Sequence, residues 1–133
     1  MPEFVIGIDL GTTNSALAFA QKDEESRVQI FAIPQLAHPG EVASLDLLPS
    51  SLYIAGPSEF VEGALALPWN PQPQYIVGRL ARVRGTENAN RLVNSAKSWL
   101  SHQTADPTEP LLPLTAPEGI TKISAVEASQ QYL

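Results

Sequence analysis

Two short apolar runs lie close together near the start of the chain. The first covers residues 4–10 and the second residues 14–20, with only Gly11, Thr12 and Thr13 between them. A nearly continuous apolar run of this length is typical of a strand that is buried on both faces. The link is too short for anything but a tight turn, so the pattern predicts an antiparallel hairpin.

Further along the chain, the hydrophobic pattern predicts short strands separated by breakers. Alternation of apolar and other residues favours a strand over residues 27–33, which Pro34 would end. Residues 35–48 read as a mixed connection between elements. Two more short strands are expected over residues 52–55 and 75–77.

Two helices are predicted between residues 78 and 102. Residues 78–84 form a short helical segment that Gly85 would stop. A longer helix would begin at Asn88 or Asn90 and run to about His102. In such a helix one face would carry the apolar side chains of Leu92, Val93, Ala96, Trp99 and Leu100.

The remaining segments combine loops with a capped helix. Proline makes residues 68–73 and 106–118 extended loops, and Trp69 either packs the first of them onto the body or offers a contact to a partner. Ser124 and Glu127 have the spacing of a capping box, in which each side chain bonds to the other's backbone N–H. A helix is therefore expected to begin there.

Composition and charge restrict the possible partners. The chain has 133 residues, enough for about one domain, and a net charge of −6 with no basic cluster. This balance argues against nucleic acid or an anionic membrane surface as the main partner. The chain has no cysteine, no apolar run of membrane-spanning length and no room for a signal peptide before the first strand, so we expect a cytoplasmic protein.

Asp9 is an unusual residue for the end of an apolar strand. A buried carboxylate costs desolvation energy unless it has a partner, and it repels a phosphate directly. Both problems disappear if Asp9 holds Mg²⁺ through water, because this ion keeps several waters and also binds phosphates. Backbone N–H groups of a glycine-containing turn and the hydroxyls of Thr12 and Thr13 suit an anion. The alternative is a plain hairpin in which Asp9 accepts hydrogen bonds from the turn.

Residues 6–15 resemble the first phosphate motif of the superfamily that contains actin, hexokinase-like sugar kinases and heat shock protein 70 chaperones. Their sequence, Ile-Gly-Ile-Asp-Leu-Gly-Thr-Thr-Asn-Ser, is most similar to the heat shock protein 70 (DnaK-type) family. Residues 48–53 are similar to a Thr-Pro-Ser-Tyr stretch of that family, and residues 77–81 and 93–100 are similar to a glycine-containing helix start and a later lysine helix. Ser-Trp-Leu-Ser after the lysine, in place of the family's Arg-Leu-Ile-Gly, indicates a divergent member.

The resemblance implies a fold and a domain organisation. The fold would be α/β and ribonuclease-H-like, with a mixed sheet that opens with antiparallel hairpins, plus helices. Residues 1–133 would form the first lobe of a nucleotide-binding domain, with residues 35–118 as approximately its outer subdomain. The parent protein would be a chaperone-type ATPase with client polypeptides and co-chaperones as partners, and hydrolysis would need a second lobe.

The resemblance also implies roles for individual residues. The nucleotide would be ATP or ADP with Mg²⁺, which Asp9 would hold through water. The phosphates would be bound by the residues of the turn, Gly11, Thr12, Thr13 and Asn14. Lys97 would be the catalytic residue and would stabilise charge on the phosphates while water attacks.

Two other functions compete with the chaperone-type ATPase. The front end of a carbohydrate kinase of the same superfamily has a similar acid-Gly-Thr hairpin, but it does not use a lysine helix in this way. A small interaction module that binds no nucleotide would belong to a different class, and two features favour it: the missing second lobe and the proline-rich loop over residues 56–74.

Overall fold

The hairpin predicted at the start of the chain is present. In the computed structural model, which describes residues 3–23 and 25–133, strand β1 (Phe4–Leu10) pairs antiparallel with strand β2 (Asn14–Gln21). Gly7 lies opposite Ala18, and this register leaves residues 11–13 as the turn. The two apolar runs and their short link are thus sufficient to predict the pairing.

The expectation that β1 is buried on both faces is wrong. All of its residues except Leu10 are exposed, and Ile6 and Ile8 keep 63% and 60% of their surface accessible. β1 lies at the edge of its sheet, and in the described part of the chain β2 is its only strand neighbour. An apolar run reports the side chains of a segment, but it does not report whether another layer covers them.

Two short strands pair with the other side of β2. Strand β3 (Gln29–Ile30) pairs with the middle of β2, and strand β6 (Leu48–Pro49) pairs with its start. The predicted strand over residues 27–33 is thus much shorter than expected. Pro34 does not end it, because Pro34 lies inside the next strand.

A second hairpin lies where the sequence indicated only a connection. Strand β4 (Ile33–His38) pairs antiparallel with strand β5 (Glu41–Leu45). Between them Gly40 has a φ of 76°, a conformation that favours glycine. The Pro39–Gly40 pair between two partly apolar segments was the available signal for this turn.

Strand β7 (Ser51–Tyr53) is the centre of the third antiparallel sheet and of the hydrophobic interior. It lies between strand β8 (Ile76–Val77) and strand β9 (Leu92–Asn94). Leu52 is fully buried in one apolar cluster, and Tyr53, only 1% exposed, belongs to another. The predictions for residues 52–55 and 75–77 therefore found real strands with shifted ends.

The first helix runs through the glycine that was expected to stop it. Helix α1 covers Arg79–Glu87, and Gly85 is buried within it. A Cβ atom at Gly85 would collide with the side chain of Leu92 in β9. The glycine therefore allows α1 and β9 to approach each other closely, and it does not end the helix.

The long helix expected from Asn88 or Asn90 to His102 is not formed. A 3₁₀ turn (Ala89–Arg91) leads into β9, and a short helix α2 (Ala96–Leu100) follows. Leu92 and Val93 pair with β7, so they do not share a helical face with Trp99. Ser95, with a left-handed φ of 56°, separates the strand from α2.

The last helix begins where the capping box indicated. In helix α3 (Ala125–Tyr132) the Ser124 Oγ accepts a hydrogen bond from the Glu127 N–H at 3.1 Å. Residues 68–73 and 106–118 contain no helix, as their prolines predicted, and Trp69 is 62% exposed at the rim of a cleft of about 260 Å³. The chain is thus a mixed α/β fold of antiparallel sheets with few helices.

Candidate functional site

The turn between β1 and β2 is the centre of the candidate site. The last residue pair of the hairpin is Leu10 opposite Ser15, and Gly11 follows directly. A Cβ atom at Gly11 would collide with the backbone carbonyl oxygen of Asn14. Glycine is therefore required at this position by the close approach of the two strands.

The carbonyl groups of the turn are held by two residues that are distant in sequence. Ser50 donates from its Oγ to the Gly11 carbonyl oxygen at 2.8 Å and from its N–H to the Thr13 carbonyl oxygen at 3.0 Å. Arg82 donates from Nη2 to the same Thr13 oxygen at 2.6 Å and to the Asn14 Oδ1 at 3.2 Å. The body of the protein thus fixes the turn through its acceptors.

A buried pair of hydroxyls supports this arrangement. Ser15 and Ser50 are 5% and 3% exposed, and their Oγ atoms lie 2.9 Å apart. Ser50 uses its single hydroxyl proton for the Gly11 carbonyl, so Ser15 is the donor between the two. A buried hydrogen bond therefore connects the start of β2 to the segment that leads into β7.

The donors of the turn are available on its exposed side. Thr12 and Thr13 are both exposed. Within residues 3–23 and 25–133, neither their backbone N–H groups nor their hydroxyls donate a hydrogen bond. Backbone N–H groups and hydroxyls that face solvent together are a suitable set of donors for an anion.

Asp9 lies one residue pair before the end of the hairpin, opposite Ala16. Its side chain is exposed and forms no ion pair with the residues that the structure describes. Because strand side chains alternate, it belongs to the face opposite Ile8 and Leu10. An exposed carboxylate pays little desolvation energy, so burial gives no independent argument that Asp9 needs a metal.

The acidic residues that the structure describes do not form a cage for a metal ion. In the described ranges, no group of three or more His, Asp or Glu side chains is arranged to hold one. A lone carboxylate such as Asp9 is compatible with Mg²⁺ when waters and phosphate oxygens supply the other ligands. Asp9 therefore suits an ion that arrives with a phosphate, and does not suit a resident metal.

Lys97 lies on α2 and is exposed. It makes no hydrogen bond or ion pair with the described residues, whereas Arg82 contacts the turn directly. Lys97 is linked to the turn only indirectly. Asn94 of β9, three residues before Lys97, pairs with Ser51, which is the neighbour of Ser50. The side-chain bond from Ser51 Oγ to Asn94 Oδ1, at 2.8 Å, strengthens this link.

Arg82 and Ser50 are the site residues that the sequence reasoning missed. Arg82 is one of three arginines within residues 79–84, a local basic group that the expectation of no basic cluster overlooked. Ser50 stands in a Pro-Ser-Ser stretch that attracted attention only through the family resemblance. Neither contact could be predicted from local pattern, because 69 residues separate Arg82 from Thr13 and 39 separate Ser50 from Gly11.

No protein-family model matches the chain, and a search of curated proteins finds no match either. None of the helices in the described residues has both the length and the apolar character needed to span a membrane. A function for the chain is therefore inferred from its own residues and their geometry.

Proposed function

We propose that the β1–β2 hairpin binds the phosphates of a magnesium nucleotide, as part of a domain related to the heat shock protein 70 branch of the actin superfamily. One observation carries this proposal. Ser50 and Arg82 donate to the carbonyl oxygens of Gly11 and Thr13, while no residue that the structure describes accepts from the N–H groups or hydroxyls of the exposed Thr12 and Thr13. A turn whose Gly11 and Thr13 carbonyls are held by the body of the protein, and whose donors are free among the described residues, is suited to an anion.

Each residue of the site has a role in the proposal. The backbone of Gly11 allows the close approach, and Thr12, Thr13 and Asn14 contact the β- and γ-phosphates. Asp9 holds Mg²⁺ through water, and Lys97 supplies positive charge during water attack. The ion neutralises phosphate charge when it is bound. Phosphoryl transfer depends mainly on positioning and charge neutralisation, which this set of residues can supply.

The proposal extends to the protein as a whole. The fold would be ribonuclease-H-like, with residues 35–118 as approximately the outer subdomain of a first lobe. ATP and ADP would be the nucleotides, and client polypeptides and co-chaperones the partners of a cytoplasmic chaperone-type ATPase. Hydrolysis in such a protein needs two lobes around the nucleotide, so we expect weak nucleotide binding and negligible ATP turnover from residues 1–133.

Chemical-shift titration with Mg-ADP tests the proposal, because NMR detects weak binding residue by residue. We expect the amide signals of residues 11–14 to move in a saturable way, and adenosine without phosphates to leave them unchanged. Thr12→Val should weaken the response, whereas Thr121→Val should not, since Thr121 is an exposed threonine outside the turn. A turn that stays silent at millimolar Mg-ADP contradicts the proposal.

Asp9→Asn tests the proposed magnesium binding by Asp9 separately from phosphate binding by the turn. We expect Asp9→Asn to weaken the response to Mg-ADP but not the response to ADP in EDTA. Asp23→Asn is the matched control, because Asp23 is an exposed aspartate that follows the other end of β2. An equal loss with and without Mg²⁺ would remove the metal from the proposed role of Asp9.

An interaction module without nucleotide is the second candidate, and one observation favours it. The uncovered face of the hairpin forms a shallow apolar depression of about 340 Å³. Its lining consists of Phe4, Ile6, Leu17, Phe19 and Phe31. Exposed apolar surfaces of this kind are typical of contacts with other proteins. If Mg-ADP moves no signal in the turn, this second function becomes the better one.

A further inference from the structure

Arg82 is a cation that contacts the candidate phosphate site directly. It lies in the first turn of α1, is half-buried, and reaches the turn through Nη2. Both of its hydrogen bonds, to the Thr13 carbonyl and the Asn14 side chain, use that nitrogen. A guanidinium group has five N–H donors in a planar fork, so the donors on Nε and Nη1 make no bond in the described structure.

No carboxylate among the described residues forms an ion pair with Arg82. The ion pairs among the described residues join Lys22 to Glu3 and Arg84 to Glu87, and neither involves Arg82. This is notable in a chain with 14 acidic and 8 basic residues, where a carboxylate partner for an arginine would be easy to find. Within the described ranges, neutral acceptors hold Arg82 in place and leave its positive charge unopposed.

A positive charge fixed beside unpaired donors has a specific chemical consequence. Arg82 donates to the Thr13 carbonyl, so its guanidinium group lies beside the turn that carries the unpaired N–H groups of Thr12 and Thr13. The guanidinium fork matches the oxygens of a phosphate and makes strong, charge-assisted hydrogen bonds to it. A dianionic phosphate gains more from this charge than a neutral or singly charged ligand does.

We propose that Arg82 is a phosphate-binding residue of this site, which contacts a nucleotide phosphate with its unused donors and so favours polyphosphates over less charged ligands. This inference rests on the proposed function of the hairpin turn. It assigns the principal positive charge of the site to a residue on α1, whereas the family resemblance assigns one to Lys97 on α2. The contributions of Lys97 and Arg82 to phosphate binding can be separated by substituting each residue alone.

The test compares Arg82→Gln with Arg82→Lys by Mg-ADP titration, read from the amide signals of the turn. Arg82→Gln should weaken binding at least about tenfold, as expected for the loss of a charge-assisted contact. Arg82→Lys should weaken it less than Arg82→Gln, because lysine keeps the charge although it loses the planar fork. Arg79→Gln is the control, since Arg79 is an exposed arginine three residues earlier on α1, and it should bind like the wild-type protein.

Salt dependence distinguishes a phosphate contact from a role limited to positioning the turn. If Arg82 binds phosphate, added salt weakens Mg-ADP binding less in Arg82→Gln than in the wild-type protein. If Arg82 only positions the turn, the lysine and glutamine variants lose affinity equally and the salt dependence stays unchanged, which would overturn the inference. A wild-type turn that does not respond to Mg-ADP would overturn the proposed function and this inference together.

Discussion

Ser50 Oγ lies 2.8 Å from the carbonyl oxygen of Gly11, although 39 residues separate the two in the sequence. The same serine accepts from Ser15 and donates its N–H to Thr13. One small residue therefore connects the first hairpin to the segment that leads into β7. The stability of the turn depends on this serine as well as on local turn chemistry.

Replacing Ser50 with alanine should lower the free energy of unfolding by about 1–3 kcal/mol. The reason is that Ser50→Ala leaves the buried Ser15 hydroxyl and the Gly11 carbonyl without a partner. Urea unfolding monitored by circular dichroism measures the change. Ser44→Ala, at an exposed position in β5, should change stability by less than about 0.5 kcal/mol. Equal effects of the two substitutions would show that the Ser50 contacts contribute nothing.

Glycine should be essential at position 11 and dispensable at position 7. A Cβ at Gly11 meets the Asn14 carbonyl, so Gly11→Ala should cost about 1–3 kcal/mol of stability. No atom lies within 4 Å of the Cβ position at Gly7, so Gly7→Ala should be neutral or stabilising by up to about 1 kcal/mol. Denaturant unfolding measures the free energy of unfolding of both variants. A Gly11→Ala variant as stable as the wild-type protein would contradict the tight turn.

Gln35 should be one of the most sensitive polar residues of the interior. It is only 2% exposed, and its Nε2 donates to the carbonyls of Ile33 and Leu47 at 3.3 and 3.0 Å. Its Oε1 accepts from the Arg79 N–H at 3.0 Å and so caps α1, where Gly78 provides no side-chain cap. Gln35→Leu should therefore cost about 2–3 kcal/mol.

The control for Gln35 is an exposed glutamine in a loop. Gln74→Leu changes the same chemical groups without removing a buried hydrogen bond, so it should leave stability nearly unchanged. Helix content by circular dichroism gives a second measurement for Gln35→Leu, because loss of the cap should fray the start of α1. An unchanged melting temperature for Gln35→Leu would contradict the capping role.

Two buried tyrosines predict a loss of stability at high pH. Burial raises the pKa of Tyr132 to about 12, and burial together with a hydrogen bond to Glu59 raises the pKa of Tyr53 to about 12. The unfolded chain loses these protons near its ordinary pKa of 10.0, so it binds fewer protons than the folded protein between the two values. The stability is therefore complete below the unfolded pKa and falls as pH rises toward 12.

Tyr132→Phe isolates one of these contributions. The Tyr132 hydroxyl is buried and has no hydrogen-bond partner among the described residues, so removing this hydroxyl should not destabilise the protein at neutral pH. Above the unfolded pKa, the variant should lose about 2 kcal/mol less stability than the wild-type protein. Urea unfolding at a series of pH values measures both effects, and parallel pH profiles would contradict the assignment to Tyr132.

Local features of the sequence were predictable, and features that depend on distant residues were not. The first hairpin follows from two apolar runs and a short link, and the start of α3 follows from the Ser124–Glu127 spacing, since both signals lie within a few residues. The strand at residues 92–94 was mistaken for helix because its partner, β7, lies about 40 positions earlier. Tertiary pairing overrides local propensity there.

In the candidate site, too, the local features were predictable and those that depend on distant residues were not. The turn residues Gly11, Thr12 and Thr13 stand together in the sequence, so their common location was predictable. The exposure of Asp9 was not, because it depends on whether a layer covers β1. The supports of the turn, Ser50 and Arg82, come from separate elements, and only the folded chain brings them to it.

The position of β7 has a consequence for how the protein loses its structure. Neighbouring residues of this strand, Leu52 and Tyr53, are anchored in different apolar clusters, so neither cluster can open while the other stays intact. Global unfolding is thus expected to be a single concerted event. The backbone amides of β7 should exchange with deuterium most slowly. The amides on the outer edge of β1 should exchange much faster, because local fraying is enough to expose them.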